Sequence, residues 1–275
     1  MEYIDIHTHL NLAAFNDDRE EVLRRTHEGG VGIINVGTQY DTSKAAVEIA
    51  RRCESGVYAS VGLHPIHTTK SFHDEQELGD EGKAFTSRGE EFSYDAYKEL
   101  AQQKSVVAIG ECGLDYYRVD ASTKDAQVSA FVAQIALANE VNKPLMLHIR
   151  DGGDCKAYHD ALEILKSEAR VRGNVHFFAG TTAIAKEFLD MGYTLSFTGV
   201  ITFAPTYKDL VSYVPLSMMH AETDAPYVAP VPHRGKRNEP IFVKETVNKI
   251  AEIKREELSV VIEQLRNNAR ELFGV

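Results

Sequence analysis

His7 and His9 stand two residues apart at the end of an apolar run, YIDIH (3–7). In an extended chain residues i and i+2 point to one side, so both imidazoles face the same way. Two imidazoles presented together are half of a first-row metal site, although two buried, hydrogen-bonded histidines would look the same. Other runs repeat the feature. Glu111 follows VVAI (106–109) between Gly110 and Gly113, His148 lies within PLMLHI (144–149), and His176 lies within NVHFF (174–178). MMHAE (218–222) leads into Glu222-Thr-Asp224. Each of these is a titratable group in or just after apolar sequence, where burial without a partner costs kilocalories and an unpaired charge costs more. A shared cation satisfies all five runs at once.

The expected donors are therefore His7, His9, Glu111, His148, His176 and Asp224, nitrogen and oxygen without thiolate. That set suits Zn²⁺, Mn²⁺ or another borderline divalent ion rather than a cysteine-rich structural zinc. A single catalytic zinc uses three protein ligands, so six donors suggest two ions about 3.5–4 Å apart, bridged by Glu111. A hydroxide shared by such a pair would attack in line, which makes hydrolysis the expected reaction class. Asp224, ionised beside the ions, would take the proton of the attacking water and return it to the leaving group.

Elements that bring five distant runs to one place must be regular. Short, nearly continuous apolar segments are expected as strands at 3–7, 32–36, 57–61, 106–109, 144–149, 174–178, 193–197 and 218–222. Amphipathic patterns between them predict helices at 18–28, 42–53, 94–103, 124–139, 157–169 and 183–190. A short helix or mixed loop is expected at 205–213, and two further helices at 241–253 and 256–272. Eight strands interleaved with helices predict an α/β chain of the (β/α)8 TIM-barrel type, a single domain over 1–275 with an extra C-terminal helix. The competing open doubly wound sheet lacks its GxGxxG turn after the first strand. The charged, Gly-containing stretch 68–92 interrupts the alternation and is expected as a surface insertion after strand three, or else a functional lid.

The chain has 275 residues, 43% of them hydrophobic and 26% charged, which excludes collagen-like, disulfide-stapled and wholly disordered classes. Cys53, Cys112 and Cys155 form no CxxC pair and are expected as small buried groups in a reducing compartment. No apolar run approaches the roughly 18 residues that span a bilayer. MEYIDIHTHL lacks the regions of a secretion signal, so a cytoplasmic location without membrane contact is expected. Lys+Arg number 30 against 41 Asp+Glu, a net charge of −11, which argues against broad coating of a polyanion.

The chain resembles the TatD-type metal-dependent deoxyribonucleases, within the amidohydrolase-like barrel superfamily. The stretches that carry the resemblance are DIHTHL (5–10), VGLHP (61–65), GECGLDYYR (110–118), PLMLHIR (144–150) and ETDAPYVAPVPHRGKRNEP (222–240). The resemblance implies that His7, His9 and Asp224 hold one ion, that Glu111 bridges, and that His148 and His176 hold the other. It makes His64 an additional catalytic histidine near the scissile phosphate, and Arg150 and Arg234 candidates for holding phosphate oxygens. It implies two divalent ions (Zn, Mg or Mn) and a 3′–5′ exonuclease acting on single-stranded or terminal DNA, with no obligate protein partner. The sixth-strand signature departs from the family pattern at Phe177, where cysteine is usual.

Two other readings compete. One is an amidohydrolase-type enzyme acting on a small amide, lactone or phosphate ester, since a barrel does not determine function. The other is a barrel that keeps its metals for structure or binds a partner without turnover. Asp115, Tyr116, Tyr117 and Arg118 could support their own loop or touch substrate. Arg237 and Glu239 are expected to pair structurally, and His67, His73, His159 and His233 are expected at the surface. The acidic total is compatible with a concave metal site and predicts a distributive enzyme gripping one or a few nucleotides.

Overall fold

In the computed structural model, residues 1–70, 72–73, 85–86, 89–117, 123–153 and 156–275 are described. Eight strands run parallel in one sheet, in chain order: β1 Tyr3–Thr8, β2 Val31–Val36, β3 Val57–Val61, β4 Val106–Asp115, β5 Leu145–Arg150, β6 Gly173–Val175, β7 Thr194–Phe197 and β8 Met219–Ala221. A parallel bridge between Thr8 and Ala225 joins the last turn to the first strand and nearly closes the barrel. The amide of Asp224 donates to His7 O at 2.9 Å and that of His9 to Ala225 O at 2.8 Å. The expected TIM barrel is thus the observed fold.

Among the described residues, helices α1 Arg19–Glu28, α2 Tyr40–Arg52, α3 Tyr94–Ala101, α4 Lys124–Val141, α5 Ala157–Glu168, α6 Thr182–Asp190, α7 Lys208–Tyr213 and α8 Val243–Lys254 surround the sheet, and α9 Leu258–Phe273 ends the chain. Alternation along the strands explains the two cores. Val31 and Ile33 of β2 pack outward against Val22 of α1 and Ala46, Val47 and Ala50 of α2. Ile34 and Val36 of the same strand join Ile6, Ala108 and Met146, together with Ala269 and Phe273 of α9. The C-terminal helix thereby seals this second cluster with its own apolar face. Among the described residues, no helix is long and apolar enough to cross a membrane.

β4 departs most from expectation. The sequence ends that strand at Ile109 because glycine punctuates turns, yet the strand continues through Glu111 to Asp115. Gly110 and Gly113 have φ of 144° and 139°, outside the ordinary range of L side chains. A Cβ on Gly110 would lie 2.2 Å from Met146 O, and one on Gly113 2.1 Å from His148 O. The glycines therefore admit a close approach of β5, with a register slip between Ile109 and Cys112. β6 and β8 are shorter than expected, so His176 and Glu222 fall just past the strand ends, with Asp224 two residues further on.

Within the expected insertion 68–92, residues 71, 74–84 and 87–88 lie outside the described residues, as do Arg118 and Cys155. Phe72–His73 pairs antiparallel with Phe85–Thr86. Glu90 anchors the end of the segment, its amide donating to His67 O at 2.8 Å and its carboxylate accepting from the Tyr97 hydroxyl at 2.7 Å. Cys53 and Cys112 are free, the first half-buried and the second buried.

Candidate metal centre

All six expected donors converge at the C-terminal ends of the strands, and Glu111 lies between two groups of them. Its Oε2 is 3.4 Å from His7 Nε2 and 3.6 Å from His9 Nε2. Asp224 Oδ1 completes that group, 3.3 Å from His9 Nε2 and 3.8 Å from His7 Nε2. The other oxygen, Oε1, is 3.0 Å from His148 Nδ1, 3.0 Å from His176 Nε2 and 3.3 Å from His64 Nε2. Three triads, His7–His9–Asp224, His7–Glu111–His176 and His64–Glu111–His148, gather ligand-type atoms closely enough for a metal ion, subject to which nitrogen each ring turns inward. His148 and Asp224 retain 18% and 14% side-chain exposure where the others are sealed, so solvent reaches the centre past these two.

Groups behind the rings decide which nitrogen faces inward. His9 Nδ1 lies 2.9 Å from Val36 O, and a carbonyl only accepts, so Nδ1 carries the proton and Nε2 presents its lone pair. His148 Nε2 lies 2.8 Å from Asp115 Oδ2, which leaves Nδ1 toward Glu111. His176 Nδ1 faces Glu222 Oε1 at 3.4 Å, and Glu222 is itself held by Phe177 N at 2.6 Å and Ser196 Oγ at 2.7 Å. His64 is the reverse case. The Ile66 amide donates to its Nδ1 at 3.2 Å, so the proton of neutral His64 sits on Nε2, facing Glu111. Inward lone pairs on His9, His148 and His176 fit a divalent cation, whereas His64 offers it an N–H.

Titration follows from crowding. Burial would raise the Glu111 carboxyl, but the imidazoles of His64, His176 and His7 that crowd it, with the bond from His148, hold it well below the usual range. Burial opposes the charge of His176, and Glu111 with Glu222 still carries it well above the ordinary imidazole value. His7 stacks on His176 at 3.8 Å, and burial plus that neighbour push it down. Burial and His148 bring His64 to about 4. Burial would also raise Asp224, but its bond to His9 and the nearby histidines lower it.

The loop carrying Asp224 is locked from behind. Asp224 adopts φ of 55°, a left-handed conformation that asparagine and aspartate tolerate best. Fully buried Asn238 donates through Nδ2 to Thr223 O at 2.9 Å and Tyr227 O at 2.7 Å, while its amide donates to Pro226 O at 3.0 Å. Buried Asp5 accepts from Thr223 N at 2.9 Å and from His7 N at 3.2 Å. Arg237 binds Asp18 at 2.8 and 2.6 Å, and Glu239 binds Arg25 twice at 2.7 Å. The RGKRNEP stretch is therefore largely a brace, as expected for Arg237 and Glu239.

Arg150 lies with its guanidinium 3.9 Å from the centroid of the Tyr117 ring, and among the described residues it makes no ion pair. Arg234 stacks on Phe203 at 3.9 Å and donates to Ala229 O at 2.8 Å. His67 is buried, contrary to expectation, because the Pro65–His67 turn folds it back beside His64 with ring centroids 5.9 Å apart. His233 is half-buried against Phe242 at 3.7 Å rather than free at the surface. His159 is exposed as expected, and the His73 side chain lies outside the described residues. In the sequence alone Asp115 stands between two roles, and Glu222 and Asn238 have none. Glu222, a carboxylate inside an apolar run, carried a signal; Asp115 depended on the unforeseen extension of β4.

Comparisons with known proteins point to one family and one fold. The family model described as TatD related DNase matches residues 4–274. The "uncharacterized metal-dependent hydrolase YabD" of Bacillus subtilis (strain 168) is 37% identical over 98% of both chains. The "3′-5′ ssDNA/RNA exonuclease TatD" of Pantoea ananatis (strain LMG 20103) is 32% identical over 98% of this chain and 99% of its own. The crystal structure of YJJV, a TatD homolog from Escherichia coli K12, superposes with a TM-score of 0.80 at 27% identity, covering 100% of this chain and 98% of that one.

Proposed function

This chain belongs to the TatD-related DNase family of metal-dependent hydrolases, and we propose that its single barrel domain, 1–275, cleaves phosphodiester bonds at the ends of single-stranded DNA. The observation that carries this reading is the division of Glu111. One oxygen faces His7, His9 and Asp224, and the other faces His148 and His176. A carboxylate shared between two donor sets is what a pair of divalent ions requires. When bound, such ions (Zn, Mn or Mg) supply Lewis acidity and a water of lowered pKa.

The side chains perform the remaining steps. Asp224, kept ionised, accepts the proton of the attacking water and returns it to the leaving oxygen. His64, neutral with its proton on Nε2, donates a hydrogen bond to a phosphoryl oxygen and stabilises charge as it develops. Arg150 presents a planar fork to the phosphate from beside the His148 group, and Arg234 is the second arginine suited to phosphate oxygens. Asp115 acts on His148 by holding its Nε2–H. Asp115→Asn is expected to weaken metal affinity roughly 10–100-fold, the usual effect of losing such a support. Metal titration of stripped protein measures it, and unchanged affinity would refute the role.

The function is tested by incubating the metal-loaded protein with end-labelled single- and double-stranded DNA, with and without EDTA. Stepwise shortening of the single strand from its 3′ end, abolished by EDTA, is expected. Absence of cleavage with Mg²⁺, Mn²⁺ and Zn²⁺ would overturn the nuclease reading while leaving the metal centre intact.

A further inference from the structure

The ring of Tyr117 takes no part in these steps, yet both its backbone amide and its ring have a defined partner. It is 62% exposed. Single exposed aromatics are common on soluble proteins and carry no meaning alone. This one is tied to the metal centre through a single carboxylate: Asp115 Oδ1 accepts from Tyr117 N at 2.9 Å while Asp115 Oδ2 holds His148 at 2.8 Å. Asp115 and Arg150 are register partners on β4 and β5, so the ring and the guanidinium stacked 3.9 Å from its centroid extend from one strand pair. The cation covers one side of the ring, and the ring's exposure leaves room on the other.

A flat aromatic face backed by arginine is the chemistry with which proteins bind unpaired bases, since every base has a π-face. We infer that Tyr117 is a base-stacking platform for an unpaired nucleotide next to the scissile phosphate. The inference rests on the phosphodiester reading and deepens it. A duplex buries its base faces in its own stack, so a platform at this position favours single strands and frayed ends. Arg150 then serves twice, with its face on the ring and its N–H edge toward phosphate.

The test compares two labelled single strands of equal length, one ordinary and one lacking bases at the two terminal nucleotides of each end. Wild-type protein is expected to cleave the base-bearing strand faster. Tyr117→Ala is expected to lower kcat/KM on that strand by about tenfold, mainly through KM, and to collapse the ratio between the two strands toward one. Tyr117→Phe keeps the π-face and is expected to preserve the ratio. Equal losses on both strands, or no loss on either, would overturn the platform. Wild-type protein that cleaves neither strand would overturn the phosphodiester reading, and the platform with it.

Discussion

Replacing Glu111 with alanine is expected to remove at least one equivalent of bound metal and to lower hydrolytic activity by three orders of magnitude or more. Both of its oxygens are committed, so no smaller change isolates one donor group from the other. Without the carboxylate, His148 Nδ1 and His176 Nε2 remain 3.4 Å apart, and His7 Nε2 and His9 Nε2 3.1 Å apart, with no anion between the two groups. A Lewis acid contributes several kcal/mol to the transition state, and about 1.4 kcal/mol corresponds to tenfold in rate, which sets the scale of the loss. Glu111→Gln, equal in shape but neutral, is expected to behave nearly as badly, because the charge rather than the volume is needed. Metal analysis alongside single-turnover kinetics decides the matter. Loss of less than one equivalent would contradict a shared carboxylate.

Restoring a divalent ion to stripped protein is expected to raise the melting temperature by roughly 10 °C or more at pH 8, and by clearly less at pH 6. Saturation of two sites at about 100 times their Kd contributes roughly 5 kcal/mol, and each kcal/mol moves the midpoint of a chain this size by about 2–4 °C. The pH dependence follows from the metal-free titrations. Burial opposes the charge on His9, His148 and His176, but their carboxylate neighbours raise all three above the ordinary imidazole value. A raised histidine stabilises the folded chain fully below the unfolded pKa of about 6.5, and that stabilisation is lost as pH rises through the folded value. Through these three rings the metal-free protein weakens from pH 6 to pH 8, against the opposite contribution of His7 and His64, which burial pushes down. Over the same interval the protons that compete with metal depart. Both effects widen the gap with pH. Differential scanning fluorimetry across this range measures it, and a gap that narrows with pH would refute the assignment of these rings as ligands.

Much of this molecule is legible in its sequence. Continuous apolar runs alternating with amphipathic ones led to the barrel, because buried parallel strands and surface helices demand those patterns. The six candidate donors could be found for a related reason: a charged or imidazole side chain at the end of an apolar strand has few ways to be satisfied. The phase of an HxH pair followed from strand periodicity, and the two rings do face each other.

Other features required the fold because they depend on contacts between segments far apart in the chain. Glycine at 110 and 113 signals conformational freedom, but only the carbonyls of Met146 and His148 show that it is needed for strand approach rather than a turn. Which nitrogen each histidine presents is decided by Val36 O, Asp115, Glu222 and the Ile66 amide, none of which the ring's own neighbours reveal, except at His64. The sequence by itself determined the kinds of donor and the strand ends that carry them, since composition and periodicity are local. Tertiary structure decided how Glu111 is shared and where each proton sits, since those depend on distances of 3–4 Å between residues as far apart as His7 and Asp224.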